Sequence, residues 1–413
     1  MAQMQKENSL LKVMDISASS PDQSHYAPAT DEGGLPIGAQ ISLITNPLGL
    51  MHLAKAWREL EQTCHIPPTV FQSYDWVKTW ADIHLTTHAH EKLFIIVGHL
   101  NNRLVYVMPL SLSKHRGLRM LTWLTQPIAQ YGDILCDKSL DAAAWTEAAI
   151  NFIKHHYYAD IIRLRHVRAT SNIGAYAAAR LCDAKLYEQA PTMDLTRFAT
   201  EADYDARYDG DQRRRRRRIR AKIEKLGVVA YQTLSAAEAS SNIDQALEEK
   251  RKWLAQRGRY NCVFSHSTHA EFLKAMARQQ TSSIETVTTR LSAGDRPVTW
   301  EIGFVYQGTQ YQYLTSHVAD LTDLSPSRLA FDLSQRQALR NGVKNYDLMV
   351  PYDPHKESWA TRCEPVNDFY LPLTALGTLY GHLYVGTLRP MLRKAYKALP
   401  QSVLRRLQKL LHY

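Results

Sequence analysis

The sequence predicts an α/β protein made of two similar halves, each a mixed sheet flanked by helices. Three observations predict it. The order helix, hairpin, helix, strand occurs twice; the hairpin segments alternate apolar and polar residues; and 413 residues exceed what a single core usually serves. No residue-by-residue identity links the halves, so the duplication rests on element order.

At 45% hydrophobic and 22% charged residues, the composition is that of an ordinary globular protein. The five cysteines are scattered and form no CxxC pair, which argues against a zinc ribbon or a disulfide framework and for a reducing cytoplasm. The formal charge of +10 is concentrated in two patches. Residues 213–225 hold nine Lys or Arg against one Glu, and residues 389–413 hold seven against none, leaving about −5 for the rest. Polyanions or an anionic lipid surface are the expected partners of such patches.

Residues 1–42 are polar and rich in breakers and read as a flexible tail with no secretory signal. Leu53, Trp57 and Leu60 then share one helical face, as do Trp76, Trp80 and Ile83. LFIIVGHLNNRLVYVMPLSLSK reads as a hairpin turning at Asn101-Asn102. DAAAWTEAAINFIKHHY follows as a helix and ADIIRLRHV as a strand, completing a first unit over 43–200.

The second unit, 201–385, repeats the plan. Helices are expected around 213–226, 243–257 and 269–280, then a hairpin over 298–317 turning at Gln307 to Thr309. In SPSRLAFDLSQRQALRNG, Ser325 is a good N-cap, Pro326 suits the first turn and Asn341-Gly342 an exit. Free amides and the dipole make that helix start a candidate anion site, while a plain capped helix explains it equally well. KNYDLMV returns as a buried strand, and PYDPHKESWA forms the loop beyond it. Asp347, among apolar neighbours, is a candidate base whose pKa burial would raise. Glu301, on the strand face it shares with Thr299 and Gly303, is the other.

Six consecutive arginines, Arg213 to Arg218, surround their helix and cannot all share one stripe. A phosphate-rich acceptor explains them, as does a solvated charged helix; no motif of a dedicated nucleic-acid module accompanies the run. Over 386–413, Leu388, Leu392, Tyr396 and Leu399 share a face beside Arg389, Arg393 and Lys397. This reads as a basic amphipathic helix able to lie on an anionic membrane surface through 388–413. No apolar stretch approaches the ~20 residues of a membrane-spanning helix, so the expected location is cytoplasmic, peripheral to the inner face of the membrane. The chain has no GxSxG, GxxxxGK[ST], HExxH or GxGxxG. His84, His88 and His90 lie close in sequence without a cysteine, and no metal is assigned.

Trp57 with Leu60, Phe71-Gln72-Ser73 with Trp76 and Trp80, a hairpin ending in MPLSL, Gln130-Tyr131-Gly132-Asp133, a basic helix ending in Leu226-Gly227, and SPSRL before NYDLMV together resemble the BioF2-like acetyltransferase family. This CelD/BcsL-like group consists of tandem GNAT-fold proteins related to the FemAB peptidyltransferases. The resemblance spans about residues 45–385. It implies two GNAT-like domains and acetyl-CoA or another acyl-CoA as co-substrate, the pyrophosphate lying near Ser325, Ser327, Arg328 and Leu329. Relatives commonly carry Gly where this chain has Ser327. The resemblance further implies that Tyr352 protonates the departing thiolate, that Lys356 offsets negative charge during transfer, and that Gln130, Tyr131 and Asp133 edge the acceptor site. Gly132 itself reads as a turn residue.

The implied activity is acyl transfer to an amine or hydroxyl of a sugar, polysaccharide or cell-envelope precursor. A FemAB-like transferase using aminoacyl-tRNA, with the arginine run as its RNA contact, is the second expectation. A non-catalytic accessory protein of polysaccharide export is the third.

Overall fold

A computed structural model describes residues 27–28, 35–85, 91–115, 117–157, 159–259, 262–265, 267–279, 283–399 and 403. The first half contains β1 (Ala39–Ile44), α1 (Ala54–Thr63), α2 (Tyr74–His84), β2 (Glu91–Leu100), β3 (Arg103–His115), β4 (Leu118–Trp123), α3 (Ala142–His156), β5 (Ile161–Arg168) and β6 (Cys182–Asp194). The second half contains α4 (Gly210–Glu224), β7 (Val229–Thr233), α5 (Ala236–Gln256), α6 (Ser267–Arg278), β8 (Ile284–Ala293), β9 (Arg296–Tyr306), β10 (Thr309–His317), α7 (Pro326–Arg340), β11 (Asn345–Asp347) and β12 (Arg362–Pro372). A last helix, α8 (Arg389–Ala398), follows.

Turn chemistry sets both hairpins. Asn101 and Asn102, and Gln307 and Gly308, have positive φ at both central positions, the twist that matches two flanking strands. The strands join one sheet in the order β1-β2-β3-β4-β5-β12-β6-β11-β10-β9-β8-β7, with the short strands Ala27–Pro28 and Leu135–Cys136 beside β1 and β3. Adding six to each first-half number reverses that list, so the expected duplication is present in the topology. In each half four strands run antiparallel, and the fifth pairs parallel with the fourth after a helical crossover through α3 or α7.

The halves exchange their final strands. β12 lies between β5 and β6, and β6 pairs in turn with β11 of the second half. One face of the sheet is covered by α1 and α2 together with α5 and α6, over a core that crosses the boundary between halves. Trp76 shows why: its ring centroid lies 4.6 Å from Phe272 and 5.1 Å from Phe304, edge-on to both. On the opposite face, α3 packs its Trp145 and Ile150 on the first half, and α7 packs Phe331 and Ala338 on the second.

Four local expectations change. The tail read over residues 1–42 ends by Ala39, where β1 begins and pairs with β2. KNYDLMV pairs only over Asn345–Asp347, because Met349 takes a left-handed φ of 54° and turns the chain away. Ser325 occupies the N-cap position of α7 but is itself left-handed (φ 54°), and its hydroxyl caps nothing. Gly132 is more than a turn residue: a Cβ there would fall 1.9 Å from the Trp123 indole nitrogen, so only glycine lets that ring pack.

Candidate active site

β10 and β11 run side by side for three residue pairs, Thr309 with Asn345, Gln310 with Tyr346 and Tyr311 with Asp347, and then part. β10 continues to His317 against β9, whereas the Leu348 amide donates to Pro191 of β6. A strand that loses its neighbour presents unpaired backbone groups to the gap. A bulge adds to this, two β10 residues, Gln312 and Tyr313, standing opposite the single Gly303 of β9.

Two lysines border the gap. Lys250 of α5 donates from Nζ to the Thr315 carbonyl of β10 at 3.0 Å. On the other side Lys356 donates to the carbonyls of Leu348, Met349 and Pro351 at 2.9, 3.0 and 3.0 Å. Burial pushes both ammonium groups down to about 8; the charge of Lys356 lowers Lys250 further, and Asp347, Asp353 and Glu188 resist the shift in Lys356. Lys356 was a sequence candidate. Lys250 was not, because in LEEKRKW nothing separates the one inward lysine from its exposed neighbours.

The helix that starts at this gap is uncapped. A 3-10 turn over Ala319–Leu324 leads into Ser325 and Pro326, and the first turn of α7 carries no acid. The Ser327 hydroxyl lies 3.0 Å from His317 Nδ1, and the other imidazole nitrogen lies 3.1 Å from Thr322 Oγ1. Burial pushes His317 down to about 4, so it bridges these hydroxyls as a neutral ring at pH 7. Burial first, then the charge of Arg215, lower the Arg328 pKa. Leu329 is buried beside Ile223, Leu291 and Val298. The counterpart helix α3 starts differently, its Asp141 side chain accepting from the Ala143 amide. A carboxylate there repels an anion, so the anion-accepting start is that of α7.

Below the gap, the two halves meet in a buried polar knot. Tyr131 Oη donates to Asp347 Oδ1 at 2.8 Å, and the Met349 amide donates to the same oxygen at 2.7 Å. Arg168 approaches Asp347 Oδ2 at 3.7 Å and donates from Nε to Glu364 at 2.7 Å, its guanidinium lying over the Tyr131 ring. Burial raises the Asp347 pKa and the Arg168 charge opposes it. Two sequence candidates from different halves, Tyr131 and Asp347, thus touch across 216 positions of chain.

The remaining candidates lie apart from that knot. Asp133 is buried and accepts from the amides of Ile134, Asn172 and Ile173, an arrangement that holds a loop in place. Gln130 is half-buried next to Tyr131. Glu301 lies wholly buried on the strand face opposite Trp300, accepting from Tyr231 Oη at 3.0 Å, and burial pushes it up to about 8. The Tyr352 hydroxyl donates to Glu357, which pushes the phenol up to about 12. His84 pairs with Glu91 at 3.1 Å, while His88 and His90 lie outside the described residues.

The sequence from 211 to 357 matches the family model described as an acetyltransferase (GNAT) domain. These residues are thus similar to a GNAT acetyltransferase domain. They contain the gap, the start of α7, Lys250 and Lys356. No curated protein matches the chain. Among solved structures, FemX is similar with a TM-score of 0.54 at 10% identity, over 80% of this chain and 98% of its own. A tandem GNAT protein of the clavulanic acid pathway has a TM-score of 0.47 at 12% identity, over 81% and 99%. The Saccharomyces cerevisiae N-myristoyltransferase with bound myristoyl-CoA has 0.41 at 10%, over 83% and 80%. At these identities the FemX likeness speaks for the fold.

Proposed function

We propose that the GNAT domain transfers an acyl group from acyl-CoA to an amine or hydroxyl of a sugar, polysaccharide or cell-envelope precursor, as its BioF2-like motifs imply. One observation carries the donor half of this reading. β10 and β11 part beside a helix start with no acid and no side-chain cap, which suits a long thioester tail entering between strands and a pyrophosphate on the helix amides. Within the proposal, the Lys356 ammonium stabilises negative charge that develops on the thioester carbonyl, and Lys250 acts from the β10 side. Asp347, already hydrogen-bonded to Tyr131, takes the acceptor proton. Tyr352 protonates the leaving thiolate once Glu357 releases its hydroxyl. Glu301 ties β9 to β7 through Tyr231.

Titration calorimetry with acetyl-CoA tests the donor. Saturable binding is expected, and Ser327→Asp should weaken it about tenfold or more without loss of fold, because an acid in a first helical turn stabilises the helix while repelling phosphate. Absence of binding to the wild type overturns the reading. The arginine run favours a second reading, an aminoacyl-tRNA donor, and steeply salt-dependent tRNA binding in place of acetyl-CoA binding would select it.

The C-terminal helices extend the proposal to location. No helix among the described residues is long and apolar enough to cross a membrane. Leu383, Met391 and Leu392 are nevertheless 63%, 63% and 55% exposed, part of an apolar face from Leu376 to Tyr396. Arg389 and Arg393, expected to flank that face, turn inward to Asp368 and Glu188. Peripheral contact with an anionic membrane through this face places the domain beside envelope precursors.

A further inference from the structure

A cavity of about 590 Å³ lies between α4 and α7, with Trp359 in its lining. Eight arginines and three carboxylates line it, an excess of five positive charges. The carboxylates are already engaged: Asp332 by Arg216 at 2.8 Å and by Arg336, and Glu201 and Asp205 by Arg336 and Arg340. Among the described residues, Arg213, Arg215, Arg217 and Arg328 on the lining have no acidic partner.

The run is sorted rather than scattered. Arg213, Arg215, Arg216, Arg217 and Arg220 line the cavity, while Arg214 and Arg218 do not. Arg216 is fixed as a wall, its guanidinium stacked 3.1 Å from the Tyr208 centroid and 4.3 Å from Trp359. A donor also stands unused here: Trp359 is buried, and its indole N–H has no acceptor. Unpaired guanidinium groups facing a shared concavity repel one another, and a buried donor without an acceptor carries a cost. One multiply charged oxyanion relieves that repulsion.

We propose that this cavity binds a group of two or more clustered phosphates. Guanidinium forks match phosphate oxygens bidentately. Two sources share this chemistry, the phosphorylated nucleotide end of CoA and a diphosphate-linked acceptor. The inference stands on the cavity itself and does not require the acyl-CoA reading.

Calorimetry on the full chain tests it with adenosine 3′,5′-bisphosphate and with UDP as probes. At least one probe should bind, and Arg215→Gln with Arg217→Gln should weaken it about tenfold or more, whereas Arg218→Gln leaves affinity unchanged. If the bisphosphate competes with acetyl-CoA and the double variant weakens acetyl-CoA too, CoA is the source. If UDP binds protein saturated with acetyl-CoA, the acceptor is. Binding of neither probe, or binding that the double variant and Arg218→Gln affect equally, overturns the proposal. Failure of acetyl-CoA to bind while a probe binds would sink the acyl-CoA reading alone.

Discussion

Arg168 shows how one side chain couples the halves. It belongs to β5 yet holds Asp347 and Glu364, both buried and both from the second half. Arg168→Met should therefore leave two carboxylates without their cation, at a cost of about 3–5 kcal/mol in denaturant unfolding; a loss below about 1 kcal/mol would show that the knot is not structural. The lysines at the gap make a second, spectroscopic prediction. In protein whose lysines are reductively methylated with ¹³C, two resonances should titrate near pH 8, one vanishing in Lys250→Met and the other in Lys356→Met. The sign follows from burial: the folded state disfavours the ammonium form, fully so below about pH 8, and that penalty fades as pH rises toward the unfolded lysine value of about 10.4. Charge stabilisation by Lys356 should accordingly fade above pH 8. Lysines that all titrate above 10 would remove the physical basis for both assignments.

Local chemistry decides which elements were legible in the sequence. Asn101-Asn102 and Gln307-Gly308 announced their hairpins because a two-residue turn needs positive φ, and Trp57, Trp76 and Trp80 announced their helices through spacing. Ser325 misled because a hydroxyl before a proline reads as a cap, whereas the backbone there is left-handed and the hydroxyl turns elsewhere. β11 read too long because the left-handed residue that ends it is Met349, a type with no preference for that conformation. The arginine run was visible, but the groove it lines depends on α7, which packs beside α4 from more than a hundred residues away. The C-terminal face was also visible, and it invites a direct test. Replacing Leu383, Met391 and Leu392 together with Gln should abolish sedimentation with anionic liposomes and leave the unfolding temperature within a few degrees, since none of the three is buried. Retained sedimentation would refute membrane contact through this face.

At the scale of the molecule, the two-unit plan was readable from element order, while its closure was not. Periodicity reports which residues face a core, not which distant strand they meet, so nothing in ADIIRLRHV indicated that Val167 and Leu164 pair with Asn367 and Phe369. The contact between Tyr131 and Asp347 follows from that closure, as does the shared core around Trp76. Only one of the two like units keeps an acid-free helix start, so the duplication supports one candidate donor site rather than two.

The placement of β12 also bears on the birth of the protein at the ribosome. Synthesis runs from the first residue onward, yet β5 and β6 are separated in the finished sheet by a strand ending at Pro372. The first half must wait, with the edges that β12 will cover open, until β12 itself has emerged, a long interval in which those edges are available to the wrong partner.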